Sequence, residues 1–274
     1  MQNNFHNLGV FRTDFNYLEE VYGSCLNKYH INPKYKDFRR TLNDISNGRK
    51  ILEHNEEVDI YIALYGAHHY YKLTSAFDTL DLSKFIGKPL EIFSYGCGPA
   101  TDTCVLISYL ASKKINLSIN SLTLIEPSAA SLDRGEQYVQ SALIHKQAGL
   151  KIRIVNKKLD NLDITDVRSQ SQTIKLHVFS NILDIEHINL KHLANILNIS
   201  QKGSNYFICV SPNFYSARKR IDNFRSIMAT LFEISDISML DEAVRGRLWL
   251  MTARCFVNNQ GIGRYQRIFM TYVS

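Results

Sequence analysis

The stretch Leu90-Glu-Ile-Phe-Ser-Tyr-Gly-Cys-Gly-Pro-Ala-Thr-Asp-Thr103 decides the fold. It opens as a short apolar run, breaks at Gly96 and Gly98, and continues from Pro99 and Ala100 into a helix-forming sequence. Downstream, Leu122-Thr-Leu-Ile-Glu-Pro-Ser128 is a second apolar run that ends in an acid, Glu126. A strand, a glycine turn, a helix and a strand tipped by a carboxylate together form a way of holding a nucleoside. At the glycines no Cβ keeps the backbone from a ligand, and the acid stands where ribose hydroxyls can donate to it. Each part also has a plainer reading. The glycines would mark any tight strand–helix turn, and Glu126 would be a charge favoured by the dipole of the following helix. Their coincidence favours a nucleoside cofactor.

Working outward, the chain alternates from Leu90 on. Strands are expected at 90–94, 121–125, 151–155, 174–179 and 206–210. Helices are expected at 100–113, 129–148 with Gly149 at the C-terminal cap, 190–199 and 216–231. This rhythm of five strands, each followed by a helix or an irregular stretch, predicts an α/β fold, a parallel sheet with helices on both faces. The tail departs from it. Leu248–Val257 and Tyr265–Val273 read as two strands of an antiparallel hairpin joined through Asn258 to Gly263. Before the core, residues 1–87 read as helical, with stretches at Asp14–Lys28, Tyr35–Leu52 and Val58–Leu80, a break at Asn32-Pro33 and an interruption at Ser46-Asn-Gly48. The internal boundary is placed at Ile86-Gly-Lys-Pro89, giving an N-terminal helical lid region over 1–87 and a core domain over 88–274.

The 274 residues suffice for a core without staples. No apolar run reaches the roughly 18 residues of a membrane helix, so no membrane partner is expected. The start, Met1-Gln-Asn-Asn-Phe-His6, lacks the regions of a signal peptide. Five scattered cysteines (Cys25, Cys97, Cys104, Cys209, Cys255) show no metal-type spacing, and a cytoplasmic, metal-free protein is expected. The net charge of +6 permits nucleic acid as a partner without requiring one. The densest basic clusters, Arg218-Lys219-Arg220 and Arg245-Gly-Arg247, read first as solvated faces.

A dinucleotide fingerprint would place a small residue at Thr101. Here the small residue falls at Ala100, giving G-x-G-x-A. This spacing, the acid one strand later and the closing hairpin resemble the class I S-adenosylmethionine-dependent methyltransferases over Leu90–Ser274. The runs Tyr65-Gly-Ala-His-His-Tyr-Tyr-Lys72 and Phe179-Ser-Asn-Ile-Leu-Asp-Ile185 further resemble uncharacterised bacterial methyltransferase-like proteins. The resemblance implies an α/β fold with a Rossmann-like, mostly parallel seven-stranded sheet, helices on both faces and a C-terminal antiparallel hairpin, S-adenosyl-L-methionine as cofactor, and methyl transfer to an acceptor the sequence does not identify. It implies that Tyr95, Gly96, Cys97 and Gly98 form the turn under the methionine and ribose. Glu126 would take the ribose hydroxyls, Pro127 would pack near adenine, and Leu159 and Asp160 would contact adenine. Asn181 would meet cofactor and substrate. One departure stands out: the family usually carries an acid two residues before the first glycine, where this chain has Ser94.

On a helix, Tyr61, Tyr65, His68 and Lys72 share a face. Such a helix would lid the pocket, with Tyr65 and His69 toward the cofactor and His68 as general base. The plainer reading is a packed aromatic face. Asp184, Glu186 and His187 lie close in sequence, and the acids are expected to start a helix at Asn189. Two further functions stand beside methyl transfer. One is a non-catalytic methyltransferase-fold module acting through a partner protein or nucleic acid; the other is a nicotinamide-dependent oxidoreductase, disfavoured by Thr101. The sequence gives no oligomeric state.

Overall fold

The computed structural model describes residues 10–32, 37–144 and 150–273. Strand β1 (Pro89–Tyr95) is buried on both faces, as a central parallel strand covered on both sides is. Parallel to it run β2 (Ser118–Ile125) on one side and β4 (Ile174–Ser180) on the other. β3 (Lys151–Val155) extends the sheet beyond β2, and β5 (Gly203–Ser211) beyond β4. β9 (Tyr265–Val273) lies antiparallel to β5, and β6 (Ile234–Leu240) pairs with β9 at the edge. The order β3-β2-β1-β4-β5-β9-β6 is a mostly parallel seven-stranded sheet, the fold class expected. The strand order reverses at β1, so the crevice beyond the carboxyl ends of β1 and β4 is where an open α/β sheet receives a ligand.

Helices α4 (Thr101–Lys113), α5 (Ala129–Ser141), α6 (Leu190–Ser200) and α7 (Tyr215–Leu231) connect the strands. Ahead of them come a π-helical turn at Leu18–Gly23, α1 (Ser24–Ile31), α2 (Phe38–Asp44) and the long α3 (Asn55–Phe77). The N-terminal helices do not form a core of their own. Val21, Leu26, Ile62 and Leu73 join Leu90, Ile92, Val105 and Ile208 in one continuous apolar cluster. A second cluster, on the opposite face of the sheet, is built on Phe93, Tyr95, Phe179, Phe207 and Phe269.

Three sequence expectations are corrected. The hairpin consists of β7 (Val244–Leu250) and β8 (Cys255–Ile262), a separate two-stranded sheet packed on α3, while Tyr265–Val273 belongs to the main sheet. The turn sits at Met251–Arg254, where Arg254 takes φ +51° without a glycine, so the sequence shows one uninterrupted run. The expected joint from Asn258 to Gly263 is instead largely strand. The second N-terminal helix, expected over Tyr35–Leu52, is reduced to Phe38–Asp44 and a single 3-10 turn; Tyr35 itself lies outside the described residues, as do Pro33 and Met1–His6. The helix expected to reach Ala148 ends at Ser141, and its Gly149 cap also lies outside the described residues. Edge strand β6 was not expected at all, because Ser235, Asp236 and Ser238 keep it polar and half exposed.

Candidate active site

A cavity of about 290 Å³ opens at the carboxyl ends of β1, β2 and β4. Its floor is the glycine turn, with Gly96 at φ +59° and Gly98 at φ +51°, values that favour glycine. A Cβ on Gly96 would run into Ile182, whereas a Cβ on Gly98 would meet no protein atom within 4 Å. The backbone at Gly98 thus faces open space. Beside it stands Glu126, at the tip of β2. Its carboxylate accepts the N–H of Gly98 at 3.1 Å and that of Ser128 at 3.0 Å. Burial pushes the carboxyl up to about 7, against the pull of these two bonds, with the nearby Asp102 adding to the rise. Two N–H bonds leave lone pairs on both oxygens for further donors.

Of the residues named from sequence, Gly96, Gly98, Glu126, Pro127, Leu159, Asp160 and Asn181 line this cavity. Leu159 is buried and Asp160 exposed, with one Asp160 oxygen accepting the N–H of Asn189 at 2.8 Å, ahead of α6. Five others stand elsewhere. Tyr95 points into the second apolar cluster, stacked on Phe179 with its hydroxyl 3.0 Å from His177 Nδ1. Cys97 is buried behind the turn, its thiol directed to the Gly98 carbonyl. Tyr65 packs against Tyr61, the rings tilted by 49°, and lies against Gly48, outside the lining. His68 is half-buried with Nδ1 unpartnered, and burial beside Lys72 lowers its pKa. His69 is buried one layer beneath the cavity.

That layer is a polar network. His69 Nε2 lies 3.0 Å from the Tyr61 hydroxyl and Nδ1 3.2 Å from Ser180 Oγ, and both Tyr61 and Ser180 line the cavity. Asn181, held at φ +56°, accepts the ammonium of Lys72 at 2.7 Å on Oδ1 and turns its amide nitrogen to the His69 ring. Lys72 is buried, which lowers its pKa to about 7, and Asp184 opposes that shift. Burial holds His69 well below the usual imidazole range, helped by the charge of Lys72.

Several lining groups were not read from sequence. The segment Gly48–Leu52 straps the cavity, set by three successive left-handed residues, Ser46, Asn47 and Gly48. The interruption at Ser46-Asn-Gly48 was its visible signal. Ile182, Ile185, His187 and Ile188 form a wall on the loop after β4. That loop is clamped by Arg220, whose guanidinium donates to the carbonyls of Leu183, Glu186 and Ile188 at 2.8–2.9 Å. Arg220 is therefore a structural clamp, in a cluster that read as a solvated face. Asp184 and Glu186 precede α6 rather than start it; Asn189 is the cap, accepting from the His192 N–H.

No family model matches the sequence, and no curated protein matches it. Solved structures resemble the fold. The N-methyltransferase NodS from Bradyrhizobium japonicum is 8% identical, with 75% of this chain and 97% of that one covered at a TM-score of 0.47. The plantazolicin methyltransferase BpumL, in complex with S-adenosylhomocysteine, is 10% identical over 93% of this chain and 96% of its own, at 0.45. A TehB-like S-adenosylmethionine-dependent methyltransferase from Corynebacterium glutamicum is 9% identical over 87% and 98%, at 0.41. The likeness is one of fold. Among the described residues no helix is long and apolar enough to cross a membrane.

Proposed function

We propose that the chain is an S-adenosylmethionine-dependent methyltransferase, with the cavity at the ends of β1, β2 and β4 as its active site. The observation that carries this reading is the pair Gly98–Glu126. One residue leaves the room of a missing Cβ, and the other presents a carboxylate pinned by two backbone donors to the same cavity. A ribose needs both: close backbone approach and an acceptor for its hydroxyls. Pro127, Leu159 and Ile182 add apolar walls suited to adenine.

Bound S-adenosylmethionine would supply a methyl group on a positively charged sulfur. The protein's contribution is to bind, align and exclude water. Gly96 and Gly98 would hold the methionine and ribose portion, Glu126 the ribose hydroxyls, and Leu159 and Asp160 the adenine. Asn181, fixed by Lys72, would stand at the transfer end, where acceptor and cofactor meet. In this reading the strap Gly48–Leu52 and Tyr61 are the lid that the region 1–87 contributes.

Calorimetric titration with S-adenosylmethionine, S-adenosylhomocysteine and NAD tests the proposal. The first two are expected to bind and NAD is not. Absence of binding at millimolar cofactor would overturn it in favour of a module that has lost the ligand.

A further inference from the structure

Tyr61 and Ser180 both line the cavity, and one buried imidazole joins their hydroxyls. His69 is only 4% exposed, so its ring reaches water through these neighbours rather than directly. The Asn181 amide nitrogen lies 3.2 and 3.4 Å from the two ring nitrogens, nearly equidistant, and so bonds to neither in preference. The lone pair of a neutral ring is then left for a hydroxyl. Burial opposes a second proton on the ring, with Lys72 and His68 adding to it, and the Asn181 amide turns its donor side to the ring. At the other end of the network burial raises the pKa of the Tyr61 hydroxyl, and Glu126, Tyr65, Asp184 and Asp102 add to the rise. A ring kept neutral and bonded at both ends passes protons through and does not store them.

We infer that Tyr61, His69 and Ser180 form a proton relay with both ends on the cavity, and that the methyl acceptor is a group that must lose a proton, an alcohol, phenol or N–H. This inference rests on the methyl-transfer reading of the same cavity. As the acceptor atom forms its bond to carbon and the carbon–sulfur bond breaks, the acceptor proton moves to the Tyr61 oxygen. The Tyr61 proton moves to His69 Nε2, the Nδ1 proton to Ser180 Oγ, and the Ser180 proton to water in the cavity. The electron pair of the broken bond stays on sulfur, and the positive charge leaves as the proton. Once the product departs, water at both ends lets the chain run backward and restores the first tautomer. Tyr61 is the group that meets the acceptor, and His69 acts through it.

The test is nitrogen-15 NMR of the imidazole rings in the full chain, without ligand, with calorimetric binding of S-adenosylhomocysteine measured on the same samples. The relay predicts a neutral His69 with its proton on Nδ1, and a Tyr61→Phe variant that shifts Nε2 alone. It also predicts that Ser180→Ala slows exchange of the Nδ1 proton with water about tenfold, and that Ser180→Thr restores it. A merely structural bond gives the opposite sign, since removing a partner speeds exchange. A proton found on Nε2, or faster exchange in Ser180→Ala, would overturn the relay whatever the cofactor result. Intact spectra without S-adenosylhomocysteine binding would instead remove the methyl-transfer reading, and the acceptor class with it.

Discussion

The hydroxyl of Ser94, near the end of β1, donates to the carboxylate of Asp102 in the first turn of α4. The resemblance to methyltransferases expects an acid at position 94, and the fold returns one there from the next helix. Asp102 is fully enclosed, held by Ser94 and the Thr103 N–H, and its charge is felt by both Cys97 and Glu126. This carboxylate is enclosed beneath the turn and does not line the cavity, and its burial has a measurable consequence for stability.

Burial raises the Asp102 carboxyl from 3.8 to about 6 and that of Glu126 from 4.5 to about 7. Between the unfolded and folded values the native state binds more protons than the unfolded chain. Stability from these groups is therefore complete below about pH 4 and is lost as the pH rises to about 7. Urea midpoints across that range should fall with pH in the wild type and fall less in Asp102→Asn with Glu126→Gln. Parallel curves would show that neither carboxyl is shifted.

Cofactor binding should run the other way with pH. Ribose hydroxyls donate to the ionised form of Glu126, which prevails only above about 7. Affinity for S-adenosylhomocysteine is expected to rise from acid through neutral pH, and Glu126→Gln should flatten the curve. Glu126→Ala should weaken binding by about 1–3 kcal/mol, the scale for leaving buried polar groups unpaired. An unchanged dissociation constant would place the ribose elsewhere.

What the sequence disclosed of this site was its chain-local part. Gly96, Gly98 and Glu126 sit at strand ends whose apolar patterning is plain, so their convergence follows from a parallel sheet. Tyr95 misled because its side chain, at the same strand end, belongs to the other face and feeds the second apolar cluster. His69 and Lys72 were visible as a helix run, but their depth depends on how α3 packs, and packing is not written in spacing. Asp102 and Arg220 were hidden for a related reason: each acts across eight or more residues on a partner that shows no pattern of its own. The hairpin was lost to a turn without glycine at Arg254.

Arg220 offers a test of that clamp. Its three bonds to the carbonyls of Leu183, Glu186 and Ile188 hold the wall without touching the cavity. Arg220→Met keeps much of the length and removes the donors. Hydrogen bonds to a charged group are worth about 1.5–3 kcal/mol each, only part of which survives as net loss once water replaces the donor. The variant should fold, lose a few kcal/mol at most, and bind S-adenosylhomocysteine more weakly, with faster amide exchange confined to 182–188. Exchange spread evenly over the chain would mean that Arg220 supports the fold and not the loop.

The glycine turn permits a comparison of two neighbours with different surroundings. Gly98→Ala puts a methyl group into open space at φ +51°, so the protein itself should lose only the cost of a left-handed alanine, about 1–2 kcal/mol. Gly96→Ala carries the same backbone cost at φ +59° and also drives a methyl group into Ile182, which adds a packing penalty. Thermal denaturation should therefore rank Gly96→Ala below Gly98→Ala. Binding should single out Gly98→Ala in another way: its methyl group occupies the space a ligand would fill, so S-adenosylhomocysteine should bind about tenfold more weakly or worse. A Gly98→Ala protein that binds as well as the wild type would show that no ligand lies against this turn.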